Sequence, residues 1–269
     1  MARFPGRDAR LAATVRKSYE ANLVRHRDAL PGAAPDRLIY AWAAVANDLR
    51  ELAFLVYADG DPLADVRGLL LSAARAHLEL VRLRGHDTTP DDAPRPPEFA
   101  TGHSRSTAHA VLMALASGED GLARSLAPFV WDPSDASYVA PDSVLCTNKH
   151  QALAYALKHV VAGDTEAAGT QLRRLATVPD DLAGELLMMR GLVARAGPRV
   201  LEGLGELLPA HARAAKKDPT GTGRQTLCLP ALGLAALAVA RGLVTPEQLP
   251  AGDPYFARDL VAARKRADG

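Results

Sequence analysis

One short pattern recurs along this chain: an alanine- and leucine-rich stretch runs into a glycine, and residues that begin helices follow at once. It occurs as Ala-Ser-Gly-Glu-Asp at 116–120, Val-Ala-Gly-Asp-Thr-Glu at 161–166 and Arg-Ala-Gly-Pro-Arg at 195–199. Just past a helix end the backbone often turns left-handed, a conformation in which a Cβ would clash. We therefore expect Gly118, Gly163 and Gly197 to occupy this position, and the chain to form stacked antiparallel helix pairs.

The residues near such breaks also predict where helices begin. Asp164 is placed to accept a hydrogen bond from the free N–H groups of the next helix, and Pro198 suits a first helical position. By the same reasoning, Asp36 caps a helix that carries Trp42 on its apolar, core-facing side. Three hydroxyl residues precede a further alanine- and leucine-rich helix and are interpreted as its N-cap residues: Ser104, Ser106 and Thr107.

The composition favours helix over strand. Hydrophobic residues make up 48% of the 269 residues, and most of them are Ala and Leu, whereas Ile, Phe and Trp are scarce. No stretch alternates apolar and polar residues as a half-buried strand does. The sequence predicts an all-α fold, an irregular array of antiparallel helix pairs with no sheet. The predicted helices cover 8–29, 36–56, 62–84, 104–117, 120–129, 147–162, 164–177, 180–196, 198–217 and 225–241, with a short closing segment from 245.

A proline-rich segment divides these helices. Residues 85–102 contain four prolines, which interrupt a helix because proline has no backbone N–H and its ring clashes with the preceding turn. We expect a linker loop here, between an N-terminal three-helix unit at 1–84 and a helix-pair domain at 103–269. The two units are expected to pack together as one globule.

Charge and cysteine content indicate the setting in which the chain works. The net charge is +1, which creates no global field that would gather nucleic acid. The two cysteines, Cys146 and Cys228, lie far apart and have no metal or redox spacing. The chain opens with polar residues rather than a signal peptide, and its longest apolar run, 227–240, is too short to span a bilayer. We expect a cytoplasmic protein that binds neither nucleic acid nor a membrane.

The charges are unevenly distributed along the first third of the chain. Residues 1–30 are mainly basic, and the next stretch is mainly acidic. Two helices of opposite sign that pack side by side would explain this without any ligand. The alternative is a negative surface for a basic partner, formed by acidic residues in two loops. Its candidate partner-binding residues are Asp59, Asp61, Asp87, Asp91 and Asp92.

No catalytic, cofactor-binding or metal-binding residue is predicted. The eight histidines do not have the close spacing of a zinc site. Arg105 with His109, and Arg82 with His86, form Arg-x-x-x-His pairs, but helical ribonucleases of the HEPN type use a longer spacing. If the chain were nevertheless an enzyme, its first candidate residues would be His103, Arg105 and His109.

Three stretches resemble one known family. The first is His-Ser-Arg-Ser-Thr-Ala-His at 103–109, which leads into Val-Leu-Met-Ala-Leu-Ala-Ser-Gly-Glu-Asp. The second is Ala-Tyr-Ala-Leu-Lys-His-Val-Val-Ala-Gly-Asp-Thr-Glu-Ala-Ala at 154–168. The third runs from Leu-Pro-Ala-His at 208–211 to the helix that opens with Leu-Cys-Leu-Pro at 227 and closes with Arg-Gly-Leu at 243. With these stretches the C-terminal two-thirds of the chain resembles the immunity protein 49 family of bacterial polymorphic-toxin systems.

The resemblance implies a protein that binds a cognate toxin domain stoichiometrically and blocks it, with no catalytic residue and no cofactor. A rigid helical array suits such a role because a preformed surface costs little ordering on binding. Two alternatives stay open: a non-catalytic helical scaffold or regulatory module with no link to a toxin, and a helical enzyme whose site is not recognisable in the sequence.

Overall fold

The structure is a computed structural model that describes residue 4 and residues 9–83, 97–130, 149–175, 180–217 and 226–263. Within these residues the predicted all-α class is confirmed, since they form helices and no strand. The α-helices are α1 (Ala9–Ala29), α2 (Pro35–Asp59), α3 (Leu63–Leu83), α4 (Pro97–Ala116), α5 (Asp120–Leu126), α6 (Lys149–Ala162), α7 (Thr165–Arg173), α8 (Asp180–Val193), α9 (Gly197–Lys217), α10 (Leu229–Ala240) and α11 (Arg258–Ala262). Three single-turn 3-10 helices lie at Leu30–Gly32, Ala127–Phe129 and Pro246–Gln248. No described helix is both long and apolar enough to cross a membrane.

Two of the three predicted glycine turns are confirmed. Gly118 and Gly163 have φ angles of 86° and 81°, in the left-handed region. At each, two backbone hydrogen bonds close the helix end, such as those from the N–H of Gly163 to the carbonyl of Val160 and from the N–H of Asp164 to the carbonyl of His159. This arrangement is the Schellman motif. The predicted cap is also present, because the Asp164 carboxylate accepts a 2.9 Å hydrogen bond from the Ala167 N–H.

The prediction for Gly197 is wrong. The left-handed residue after α8 is Arg195, with φ of 53°, and Gly197 is the first residue of α9. Gly197 is needed for a different reason: a Cβ there would lie 2.0 Å from the carbonyl oxygen of Leu243. The glycine thus permits close contact with the segment after α10. The left-handed position is occupied instead by Arg195, although a residue with a Cβ suits that conformation less well than glycine does.

Two helix starts also differ from prediction. The helix α4 begins at Pro97 instead of at residue 104, because a proline is tolerated in a first turn whose N–H groups have no partner. The end of the predicted 85–102 linker is therefore helical, and Ser104, Ser106 and Thr107 lie inside α4 and are not its N-cap. The helix α2 begins at Pro35 with Ala34 at the N-cap, so Asp36 is a second helical residue and not a cap.

The helices α8 and α9 pack with their backbones in contact at a pair of glycines. A Cβ added to Gly203 would lie 2.6 Å from the Met188 nitrogen and 2.7 Å from the Gly184 oxygen. A Cβ on Gly184 would in turn meet the Leu207 nitrogen at 2.4 Å. Ordinary contacts of a Cβ begin near 3.4 Å, so neither position has room for a side chain. These glycines set the separation of the two helices.

The N-terminal helices share one hydrophobic core with the rest of the described chain. The hydroxyl of the buried Tyr57 on α2 donates a 2.9 Å hydrogen bond to the carbonyl of Pro254. On α3, Arg67 donates to the carbonyl of Leu260 in α11 at 2.9 Å. Helices α2 and α3 are therefore held to residues that lie almost two hundred positions later in the sequence.

Candidate functional site

The acidic residues proposed to bind a partner lie partly in the described structure. Asp59 and Asp61 both contact Arg16 of α1, at 3.0 Å and 2.7 Å from its guanidinium nitrogen Nη1. Farther along the same helix pair, His26 Nδ1 lies 2.7 Å from the Asp48 carboxylate. Helices of opposite sign do pack side by side, as the charge pattern predicts. The candidate residues Asp87, Asp91 and Asp92 lie outside the described residues.

The first turns of α2 carry apolar side chains that the fold leaves partly uncovered. Tyr40 is 75% exposed, and its neighbours Leu38, Ile39 and Trp42 are only partly buried. Trp42 packs against the core, on the side of the helix that was predicted to face it, and is partly buried. Leu38 and Trp42 lie on the side of the helix away from Tyr40, because residues two apart do not share a helix face. We call Ile39 and Tyr40, on the outer side, the α2 apolar surface. Aromatic residues of this kind dominate the energetics of many protein interfaces.

A cavity of about 220 Å³ lies among five helices of the C-terminal part. Arg105 and His109, one turn apart on the same face of α4, line the cavity. Leu207 and His211 line it from one face of α9. The helices α6 and α8 supply further wall residues, and Cys228 lies at the start of α10. Its size is below the 300–1,000 Å³ typical of drug-sized ligands, so the cavity suits a small metabolite.

Two opposite charges face this cavity. Glu185 of α8 is partly buried, and burial raises the pKa of its carboxyl group to about 7, against the opposing effect of the positive charge on Arg105. Arg105 is exposed and lies on the solvent side of the cavity. Neither side chain forms a hydrogen bond or ion pair with another described residue, including the other of the two. The Glu185 carboxylate is thus partly removed from solvent and is influenced by the Arg105 charge without a direct contact.

The other polar residues of the cavity have structural partners or are unreactive. The ring of His211 packs edge-on against Tyr255, with 5.3 Å between ring centroids. Burial raises the pKa of the Cys228 thiol to about 12, so the thiol stays protonated at neutral pH and is a weak nucleophile. The Cys228 N–H donates a 2.9 Å hydrogen bond to the Tyr255 carbonyl. No group of three or more His, Cys, Asp or Glu within the described ranges is arranged to hold a metal ion.

The structure therefore brings together residues that the sequence treats separately. Arg105 and His109, named as candidates for an enzyme, lie one turn apart on α4 and both line the cavity. Glu185 and His211 were not singled out, because nothing in their local sequence distinguishes them from ordinary helix residues. The side chain of His103 and all of His86 and Cys146 lie outside what the structure describes, and Arg82 pairs with Glu79 on the surface.

Comparison with protein-family models, with curated proteins and with solved structures finds no match to this chain.

Proposed function

We propose that this protein is an immunity protein that neutralises a cognate bacterial toxin domain by stoichiometric binding. The observation that supports binding is the α2 apolar surface, where Tyr40 is exposed and Ile39 is only partly buried. Tyrosine and tryptophan are enriched among the residues that carry most of the energy of protein interfaces. The class of partner comes from the resemblance of the three C-terminal stretches to the immunity protein 49 family.

The arrangement of the first helices suits this role. The surface lies on a helix whose other half is fully buried, from Leu52 to Ala58, so its position is held by the core. Arg37 is exposed one turn before Tyr40 and gives the apolar residues a charged neighbour. Such a preformed surface binds with little loss of conformational freedom. Asp59 and Asp61 belong to the opposite end of α2 and are held by Arg16, so we place the main contact at Tyr40 rather than at these carboxylates.

The test is co-expression with the product of the gene next to this one, taken as the candidate toxin. We expect growth to be rescued and a one-to-one complex to elute from size-exclusion chromatography. Replacing Tyr40 by Ala should weaken the complex by about 2 kcal/mol or more, roughly 30-fold in Kd, if this residue is an interface anchor. Leu11→Ala is the matched control, because Leu11 is 49% exposed near the opposite end of the α1–α2 pair.

The outcomes separate this proposal from its alternatives. No rescue and no complex would reject the immunity role. Rescue that Tyr40→Ala leaves intact would keep the role but move the contact to another surface. A scaffold with no link to a toxin predicts that the neighbouring gene product neither harms cells nor binds.

A further inference from the structure

Two opposite charges line the cavity without pairing directly. Glu185 is on α8 and Arg105 is on α4, and the Arg105 charge offsets only part of the effect of burial on the Glu185 carboxyl group. A partly buried carboxylate that lacks a hydrogen-bond donor weakens the folded state. A guanidinium and a carboxylate that share one cavity but stay apart are complementary to a ligand that carries both charges.

Apart from these two charged residues, two histidines and Cys228, the cavity is apolar. Leucines and alanines from four helices make up most of its wall, among them Leu112, Leu153, Ala154 and Leu207. These side chains cannot satisfy a polar ligand, but they favour a short hydrocarbon body. At about 220 Å³ the space admits a molecule of metabolite size. The cavity thus combines two opposite charges with a mainly apolar wall.

We propose that this cavity binds a small aliphatic amino acid. In the bound state the ligand carboxylate accepts hydrogen bonds from the Arg105 guanidinium, the ligand ammonium donates to the Glu185 carboxylate, and the hydrocarbon body packs against the leucines. Both polar contacts are charge-assisted and are therefore among the stronger hydrogen bonds in proteins. The site is independent of the α2 apolar surface.

The remaining residues of the cavity fit binding rather than covalent capture. Because the Cys228 thiol is protonated at neutral pH, no thiolate is available to attack the ligand. His109 of α4 and His211 of α9 are the other titratable groups that face Glu185 across the cavity. Any pH dependence of binding must therefore be assigned with a variant of Glu185 itself.

The experiment is isothermal titration calorimetry on the full chain. The probes are L-leucine, L-norvaline and 5-aminopentanoate, with 3-methylbutylamine and 4-methylpentanoate as analogues that carry only one of the two charges. We expect saturable binding of at least one amino acid, and binding of each single-charge analogue that is weaker by about tenfold or more, because each loses one charge-assisted contact.

Two variants with matched controls assign the contacts. Glu185→Gln and Arg105→Met should each weaken binding by about tenfold or more, whereas Glu206→Gln and Arg124→Met, both at exposed helix positions, should leave it unchanged.

The affinity of the unmodified protein should rise as the pH increases through about 7, because Glu185 then becomes charged, and Glu185→Gln should remove this rise. Circular dichroism of each variant checks that it is folded.

Three outcomes would overturn the proposal: no amino acid of the panel binds, a single-charge analogue binds as tightly as the amino acids, or folded Glu185→Gln binds as well as the unmodified protein. None of them bears on the toxin-rescue experiment, so the two proposals fail separately.

Discussion

The close contact of α8 and α9 leads to a quantitative prediction for Gly203. An alanine Cβ there would lie 2.6 Å from the Met188 nitrogen, against about 3.4 Å for ordinary contact. Because the obstructing atoms are backbone, no side chain can rotate away, and the helices must separate by a sizeable part of an ångström. A gap of 0.5–1 Å already forfeits about a quarter to a half of the dispersion energy between the surfaces that face it.

Gly205 provides the control in the same helix. A Cβ at Gly205 meets nothing within 4 Å, and the residue is exposed. Alanine there should stabilise the protein by about 0.5–1 kcal/mol, because it loses less backbone freedom on folding than glycine does. Gly203→Ala gains the same helix propensity, so the difference between the two variants isolates the steric cost. We expect that difference to be about 1–3 kcal/mol.

Urea and thermal unfolding, followed by circular dichroism, measure this difference. Gly205→Ala should raise Tm and Gly203→Ala should lower it, by about 2–4 °C per kcal/mol for a chain near this size. The double variant of Gly184 and Gly203 should cost less than the sum of the single ones, because the first alanine already separates the helices. Equal stability of Gly203→Ala and Gly205→Ala would refute the backbone contact.

Two further predictions concern Arg195 and Glu185. Arg195→Gly should increase the free energy of unfolding by about 0.5–1 kcal/mol, because φ of 53° strains any residue with a Cβ. Arg199→Gly, at an exposed helical position, should decrease it. Denaturant titration of both variants checks that the two changes have opposite signs. Glu185 has a folded-state pKa of about 7, above its value in an unfolded chain, so it contributes stability at low pH that is lost as the pH rises from about 4.5 through 7. Unfolding free energies measured across this range should fall for the unmodified protein relative to Glu185→Gln, and parallel curves would contradict the assignment.

The helix ends show what the sequence can and cannot predict. Gly118 and Gly163 were predicted correctly, because a glycine past an apolar helix is explained by the local backbone alone. Gly197 was not, because its position depends on the carbonyl of Leu243, which lies far along the chain and approaches it only in the folded state. Local rules therefore held at these two turns, whereas the N-cap predictions for Asp36 and Ser104 failed because both helices begin at an upstream proline.

The cavity was less predictable for the same reason. The spacing of Arg105 and His109 was visible in the sequence, and they do share one face of α4. Their relation to Glu185 depends on how α4 and α8 are placed around the cavity, which only the folded helix array determines. No local signal links these three positions.

The contacts that join residues 254–263 to α2 and α3 have a consequence for how the protein unfolds. In an open helical array each repeat touches only its neighbours, so such arrays can lose their terminal repeats one at a time. Here Tyr57 and Arg67 bond to carbonyls near the other end of the described chain. Neither the α2–α3 pair nor residues 254–263 can detach without breaking these bonds. We therefore expect a single cooperative transition, with the slowest hydrogen exchange of backbone amides at both ends of the array as well as in its middle.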